Sequence, residues 1–107
     1  MPSDYVLSVV VPVYRSEAYL KRTVTELADY LRSRIVFEII LVNDGSPDQV
    51  GRVMDELCAE FPNVRAITLG RNVGQHRATL FGFGLARGDV VVTVDDDGQN
   101  PPEAAFA

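Results

Sequence analysis

The sequence contains one cysteine, one lysine and one histidine, and no apolar run long enough to cross a bilayer. A lone Cys58 cannot close an intrachain disulfide, so a reducing, cytoplasmic setting is expected. Its place on the apolar face of a predicted helix marks it as a small core residue and not a nucleophile. The longest apolar stretches are strand-length and charges interrupt the rest, so no membrane span is expected. The opening Met1-Pro2-Ser3-Asp4 lacks a basic segment, and Pro12 breaks the apolar run behind it, so no secretory signal is expected either. Positive charge is scarce: ten Lys and Arg against fifteen Asp and Glu leave a formal net charge of −5. That balance argues against a nucleic-acid partner. It does not argue against a nucleotide, because a metal can neutralise the phosphates locally. Repeats, linkers and low-complexity segments are also missing.

What is present is enough for one small domain, with 47% hydrophobic residues in 107. The pattern alternates between strand and helix. Tyr5 to Val13 reads as a first strand, too continuously apolar for a surface position. Ser16 is the expected N-cap of a helix from about Glu17 to Ser33, whose Leu20, Val24, Leu27 and Leu31 form one stripe. Val36 to Val42 is a second strand, running into the turn Asn43-Asp44-Gly45-Ser46-Pro47-Asp48, with Pro47 near the first position of a second helix. That helix carries Val50, Val53, Met54, Leu57, Cys58 and Phe61 at helical spacing and stops at Pro62. Val64 to Leu69 is a third strand, Gly70 to Gly74 a loop, and Gln75 to Ala86 a third helix with Gly88 as its stop. Gly82 and Gly84 inside that helix are expected to mark close packing on the sheet or on a ligand. Val90 to Val94 is a fourth strand, read as buried. Strands joined by helices imply parallel pairing through right-handed crossovers and a sheet covered on both faces.

In such sheets ligands bind beyond the carboxyl ends of the strands. Three polar loops fall on that rim: residues 12–17, residues 43–46, and Asp95-Asp96-Asp97. Three consecutive carboxylates after so apolar a strand are read as cation ligands before turn residues, because neighbouring carboxylates repel one another unless a cation or proton intervenes. Strand alternation would send Asp95 and Asp97 to one side and Asp96 to the other. Mg²⁺ suits such a pair, since it takes a few carboxylates and leaves its remaining positions to water and phosphate.

With these pieces in order, nearly the whole chain resembles the nucleotide-sugar-binding half of family 2 glycosyltransferases with the GT-A fold. Val9-Val10-Val11-Pro12-Val13-Tyr14 is similar to that family's opening strand, and Glu38 to Ser46 to its second strand and DGS turn. Arg71-Asn72-Val73-Gly74 resembles its RNxG loop, and Asp95-Asp96-Asp97 occupies its DxD position. Gln99-Asn100-Pro101-Pro102-Glu103 further resembles the ending seen in polyprenyl-phosphate sugar synthases of the dolichol-phosphate mannose synthase type.

The resemblance implies a Rossmann-like α/β fold, a parallel sheet of order 3-2-1-4 with helices on both faces. It also implies transfer of a sugar from a UDP- or GDP-sugar, with Mg or Mn as cofactor and polyprenyl phosphate as a possible acceptor. Pro12, Tyr14 and Glu17 would line the nucleoside pocket, Tyr14 presenting its ring to the base or else closing the sheet rim. Asp44 would accept a base N–H, or serve as an Asx-turn residue. Arg71 would reach the base or the diphosphate, or stay a solvated loop residue. Asp95 would touch ribose or metal, Asp97 would ligate the metal, and Gln99 could add a ligand. Asp96 stands where the synthase subgroup often has a small residue, which leaves open which two carboxylates face the ion. His76 is read as a solvated helix-start residue. No catalytic base is identified.

The family continues for about another domain beyond such a stretch. The chain is therefore expected to be a truncated N-terminal piece, at residues 1–107, of an enzyme acting at the cytoplasmic face of a membrane. Self-association through an exposed edge is expected as well. The chief alternative is a catalytically inactive α/β binding or assembly fragment. A dinucleotide-binding oxidoreductase would need a glycine-rich loop after the first strand, and none is there. A phosphoacceptor signalling module would want a lysine on the rim, whereas Lys21 lies in the first helix.

Overall fold

The structure, a computed structural model, describes residues 5–98 and Pro102. Its elements are β1 (Leu7–Val13), α1 (Leu20–Leu31), β2 (Phe37–Asn43), α2 (Val50–Glu60), β3 (Val64–Thr68), α3 (Gln75–Leu85) and β4 (Val90–Thr93). All three neighbouring strand pairs are parallel, and the order is β3-β2-β1-β4. β1 and β2 are the central pair, and each is buried along its full length.

Alternation sorts the strand residues between two faces. Leu7, Val9, Val11 and Val13 of β1 join Phe37, Ile39 and Leu41 of β2 on one face. There they meet Leu20, Val24, Leu27 and Leu31 of α1 and Val50, Met54 and Leu57 of α2. Half-buried Cys58 packs against this core, and burial together with the Asp55 charge pushes its thiol up. On the other face Val10, Ile40 and Val42 meet Ala78 of α3. Gly82 lets α3 sit close, since a Cβ there would collide with Val10 of β1. Gly84, one residue pair further on, has nothing within 4 Å of its Cβ position, so close packing explains only the first of these glycines.

The α3 face also holds a buried carboxylate. Glu38 of β2 has no solvent exposure and accepts hydrogen bonds from Ser8 Oγ (2.5 Å), the Arg87 N–H (2.7 Å) and Arg65 Nη2 (2.9 Å). Burial alone would raise its pKa, but those donors and the Arg65 charge outweigh it and leave the carboxyl below its ordinary value. Arg65 also donates to the Leu85 carbonyl, and the Gly88 N–H to Ser8 Oγ, so the cluster anchors the connection from α3 to β4.

Several expected boundaries shift. α1 begins at Leu20, not Glu17, and Ser16 is not its side-chain cap: the Ser16 carbonyl accepts the Tyr19 and Leu20 N–H groups, while its buried Oγ has no partner. Arg15 and Glu17 are instead bonded to Ser46, Asp48 and Gln49 of the segment after β2, which delays the helix. For the same reason α2 starts at Val50, three residues past Pro47. α3 runs from Gln75 to Leu85, within one residue of expectation, with Ala86 and not Gly88 as its C-cap. β4 is not buried. Val90 is 53% exposed and Thr93 is exposed, while Val91 and Val92 are half-buried against the two cores, because the strand is the sheet edge.

Candidate functional site

The carboxyl ends of the strands carry a cleft of about 230 Å³ lined by Pro12, Val13, Tyr14, Asp44, Asn72, Gly74, Gln75 and Asp96. Each of its walls comes from a different strand–helix loop. A larger, open concavity of about 710 Å³ lies at the opposite rim, among Tyr5, Ile35, Val36, Phe37, Phe61 and Pro62. Its lining is mainly apolar, with Arg32, Glu60 and Asn63 as its polar members, and it lies away from the carboxyl ends of the strands, so the smaller cleft is the better candidate.

Asp44 organises one wall. Only 2% exposed, its carboxylate accepts three hydrogen bonds from the loop before α3: the Val73 N–H on Oδ1 (2.7 Å), and the Gly74 N–H (3.1 Å) and Asn72 Nδ2 (3.0 Å) on Oδ2. The loop before α3 is thus wrapped around this residue. Gly45 makes the approach possible: it adopts φ +65°, and a Cβ there would stand 2.5 Å from the Asn72 nitrogen.

The second wall is Tyr14, 40% exposed, with the Arg15 guanidinium carbon 5.3 Å from its ring centroid. Arg15 takes φ +56°, an uncommon left-handed conformation for a non-glycine residue. Cross-loop bonds hold it there. The Arg15 N–H donates to Ser46 Oγ (2.8 Å), Ser46 Oγ–H to Asp48 Oδ1 (2.6 Å), the Glu17 N–H to Asp48 Oδ2 (3.1 Å), and the Gln49 N–H to Glu17 Oε1 (2.7 Å). Burial pushes the Asp48 carboxyl up, yet the Ser46 hydroxyl and the Glu17 and Val50 N–H groups hold it below its usual value.

The third wall is Asp96. β4 ends at Thr93, so the alternation expected to set Asp95 and Asp97 apart from Asp96 stops before it reaches them, and residues 96 and 97 form a turn. The Tyr14 N–H donates to Asp96 Oδ2 (2.9 Å), and Thr23 Oγ1 lies 3.1 Å from the Asp96 carbonyl.

Of the expected site residues, then, the structure brings Pro12, Tyr14 and Asp44 together in the cleft. Glu17 is placed toward the start of α2, where its carboxylate takes the Gln49 N–H. Arg71, Asp95 and Asp97 are exposed on the surrounding surface, and His76 is exposed at the start of α3. Gln99 lies outside the described residues. Val13 and Asp96 line the cleft as members of the expected rim loops, while Asn72, Gly74 and Gln75 are cleft residues that the sequence does not single out. Asn72 and Gly74 were visible as part of a motif, but their bonds to Asp44 needed the fold. No trio of His, Cys, Asp or Glu converges among the described residues.

Comparison with known proteins agrees with this geometry. The sequence model described as glycosyl transferase family 2 matches residues 8–106. An undecaprenyl-phosphate 4-deoxy-4-formamido-L-arabinose transferase of Pseudomonas fluorescens (strain SBW25) is 45% identical over 101 residues, covering 91% of this chain and 29% of that protein. The protein of that name from Pseudomonas paraeruginosa is 48% identical over 106 residues, covering 95% of this chain and 30% of the relative. The chain thus spans about 30% of the length of these relatives. Among solved structures, S. aureus TarS 1-349 in complex with UDP-GlcNAc superposes with a TM-score of 0.74 at 29% identity, over 86% of this chain and 26% of that one. The same fragment in complex with UDP also gives 0.74 at 29% identity, over 86% and 27%.

Proposed function

The chain belongs to glycosyl transferase family 2, and from that premise we propose that it is the donor-binding part of a metal-dependent glycosyltransferase. It would take a UDP- or GDP-sugar, UDP being favoured by the ligands of the similar TarS structures. The acceptor would be polyprenyl phosphate, as the names of the bacterial relatives suggest. The protein would then work at the cytoplasmic face of a membrane, although no helix among the described residues is long and apolar enough to cross one.

The observation that carries this reading is the cleft itself, where Tyr14 and the buried Asp44 line one cavity beyond the strand ends. The base would lie against Tyr14, with Pro12 beside it. Asp44 Oδ1 takes one N–H where Oδ2 takes two, so it retains a lone pair for a base N–H of uracil or guanine. Asp95 would reach the ribose or the cation, and Arg71 the base or the diphosphate.

Asp95 and Asp97, both exposed beside the cleft, suit a divalent cation that needs only one or two carboxylates and takes its remaining ligands from phosphate and water. Gln99 would add a ligand. When bound, Mg or Mn would offset the charge growing on the departing nucleoside diphosphate.

At about 230 Å³ the cleft is smaller than the ~300–1,000 Å³ usual for ligand sites. This favours a second reading for the stretch taken alone: it holds the nucleotide without enclosing the sugar, and transfers nothing. Self-association is also proposed, through the open edge of β4 and the exposed apolar residues of α3.

Calorimetric titration with UDP and with GDP, each with and without Mn²⁺, tests the proposal on wild type and Asp97→Asn. Metal-dependent binding should fall by about tenfold or more in the variant, with the fold intact, because a charged ligand is lost from a surface rim. Equal binding in every metal condition would remove the chemical basis of the reading.

A further inference from the structure

The middle carboxylate of the triple attaches the loop after β4 to two other elements at once. Its side chain accepts the Tyr14 N–H at 2.9 Å, and its carbonyl oxygen lies 3.1 Å from Thr23 Oγ1. Tyr14 directly follows β1, and Thr23 lies in the first turn of α1. Thr23 Oγ1 is shared with the Tyr19 carbonyl at 3.0 Å, so the latch reaches the helix start as well. A Tyr14 N–H just past the strand end needs such an acceptor, since an unpaired backbone donor at a partly covered rim is costly.

Resting on the nucleotide-binding reading above, we propose that Asp96 is a positioning residue. It fixes the loop of residues 94–98 against Tyr14, so that the nucleoside platform and the flanking Asp95 and Asp97 are held as one unit, and it is not itself a ligand of the cation. The observations favour this over direct ligation. One Asp96 oxygen is already spent on a backbone donor, and the residue lines the cleft beside Asp44. Asp95 and Asp97 lie exposed on either side of it. A cation that keeps most of its coordination for phosphate and water has no need of a third carboxylate. The consequence is coupling: nucleotide should bind better once the metal loop is in place, and the reverse, because both sites share one attachment.

Replacing Asp96 by Asn and by Ala separates latch from ligand. Asn retains a neutral carbonyl acceptor for the Tyr14 N–H, whereas Ala removes it. A latch predicts UDP affinity in Mn²⁺ within about threefold of wild type for Asp96→Asn and about tenfold weaker for Asp96→Ala, the scale of one hydrogen bond to a charged group. A cation ligand predicts equal losses for both, because each removes the charge, and that result would overturn the proposal. The second readout needs neither metal nor nucleotide. Amide hydrogen exchange at Tyr14 should quicken about tenfold or more in Asp96→Ala and stay near wild type in Asp96→Asn. Unchanged Tyr14 exchange in the Ala variant would also overturn it. Should wild type bind neither UDP nor GDP with Mn²⁺, the functional reading fails, and Tyr14 exchange alone still decides whether the latch exists.

Discussion

The two faces of the sheet are built from the same two central strands, one residue out of step, and they solve burial differently. Residues of odd number in β1 and β2, apart from Asn43 at the end of β2, are apolar and feed a core of sixteen buried residues shared with α1 and α2. Even-numbered residues include Ser8 and Glu38, and only four buried apolar residues gather under α3. The first face is held by area removed from water. The second is held by a close helix contact at Gly82 and a hydrogen-bonded carboxylate, and it leaves Leu80, Phe81, Phe83 and Leu85 exposed by 37–53%. The thick face therefore supplies the platform, while the thin face carries α3, whose leading loop closes the cleft around Asp44.

The sharpest test of that contrast is Glu38. Removing it as Glu38→Ala strands the Arg65 guanidinium and the Arg87 N–H without their acceptor. The expected loss is about 3 kcal/mol, the low end for a broken buried pair, since a third of the Arg65 side chain remains in water. The effect has a pH signature. The carboxyl sits below its ordinary value in the folded state, so its contribution is complete above the unfolded value of about 4.3. It is lost as pH falls through the folded value. Urea unfolding of wild type and Glu38→Gln should differ clearly at neutral pH and converge in acid; a gap independent of pH would mean the carboxylate charge contributes nothing.

Glu38 also shows where sequence stops being legible. The β/α alternation and the parallel pairing are legible in the sequence, because periodicity and crossover handedness are local or general rules, whereas the order 3-2-1-4 is legible only through the resemblance to a known family. A single Glu within an apolar strand gives no sign that Ser8, Arg65 and the Arg87 N–H, thirty, twenty-seven and forty-nine residues away, will enclose it. β4 was misread for a related reason: Val90-Val91-Val92 looks the same whether the strand is central or at the edge. At the site, the rim loops were legible as a set. Their cross-connections were not, because the bonds from Asp44 to Val73 and from Tyr14 to Asp96 span twenty-nine and eighty-two residues.

A smaller effect should divide two glycines of one helix. Gly82→Ala places a methyl against Val10, a stiff β-branched residue of β1, with Val42 close behind at 3.2 Å. Overpacking of this kind costs about 1–3 kcal/mol, against which Ala returns up to about 1 kcal/mol of helix propensity. Net destabilisation is expected. Gly84→Ala meets nothing within 4 Å and should stabilise by about 0.5–1 kcal/mol. Thermal melts of the two variants should move in opposite directions, and a shared direction would mean that α3 does not rest on the sheet as described.

The smallest change in stability, and the most telling about the thin face, is expected for Phe81→Ser. Phe81 is 52% exposed, so little burial is lost on folding and the monomer should shift by no more than about 0.5 kcal/mol. Its neighbours Leu80 and Phe83 are also exposed, and β4 is the outermost strand of the sheet among the described residues. Exposed apolar side chains and an outer strand are the kinds of feature through which a protein recruits another surface. If a second copy is what the thin face recruits, light scattering should show wild type gaining mass with concentration and the Phe81→Ser protein gaining much less. The effect would then lie in association and not in folding, separating the two faces by what their residues are for. A strict monomer across the range for both proteins would show that α3 tolerates its exposed side chains in water, and that the imbalance between the faces has no consequence for assembly.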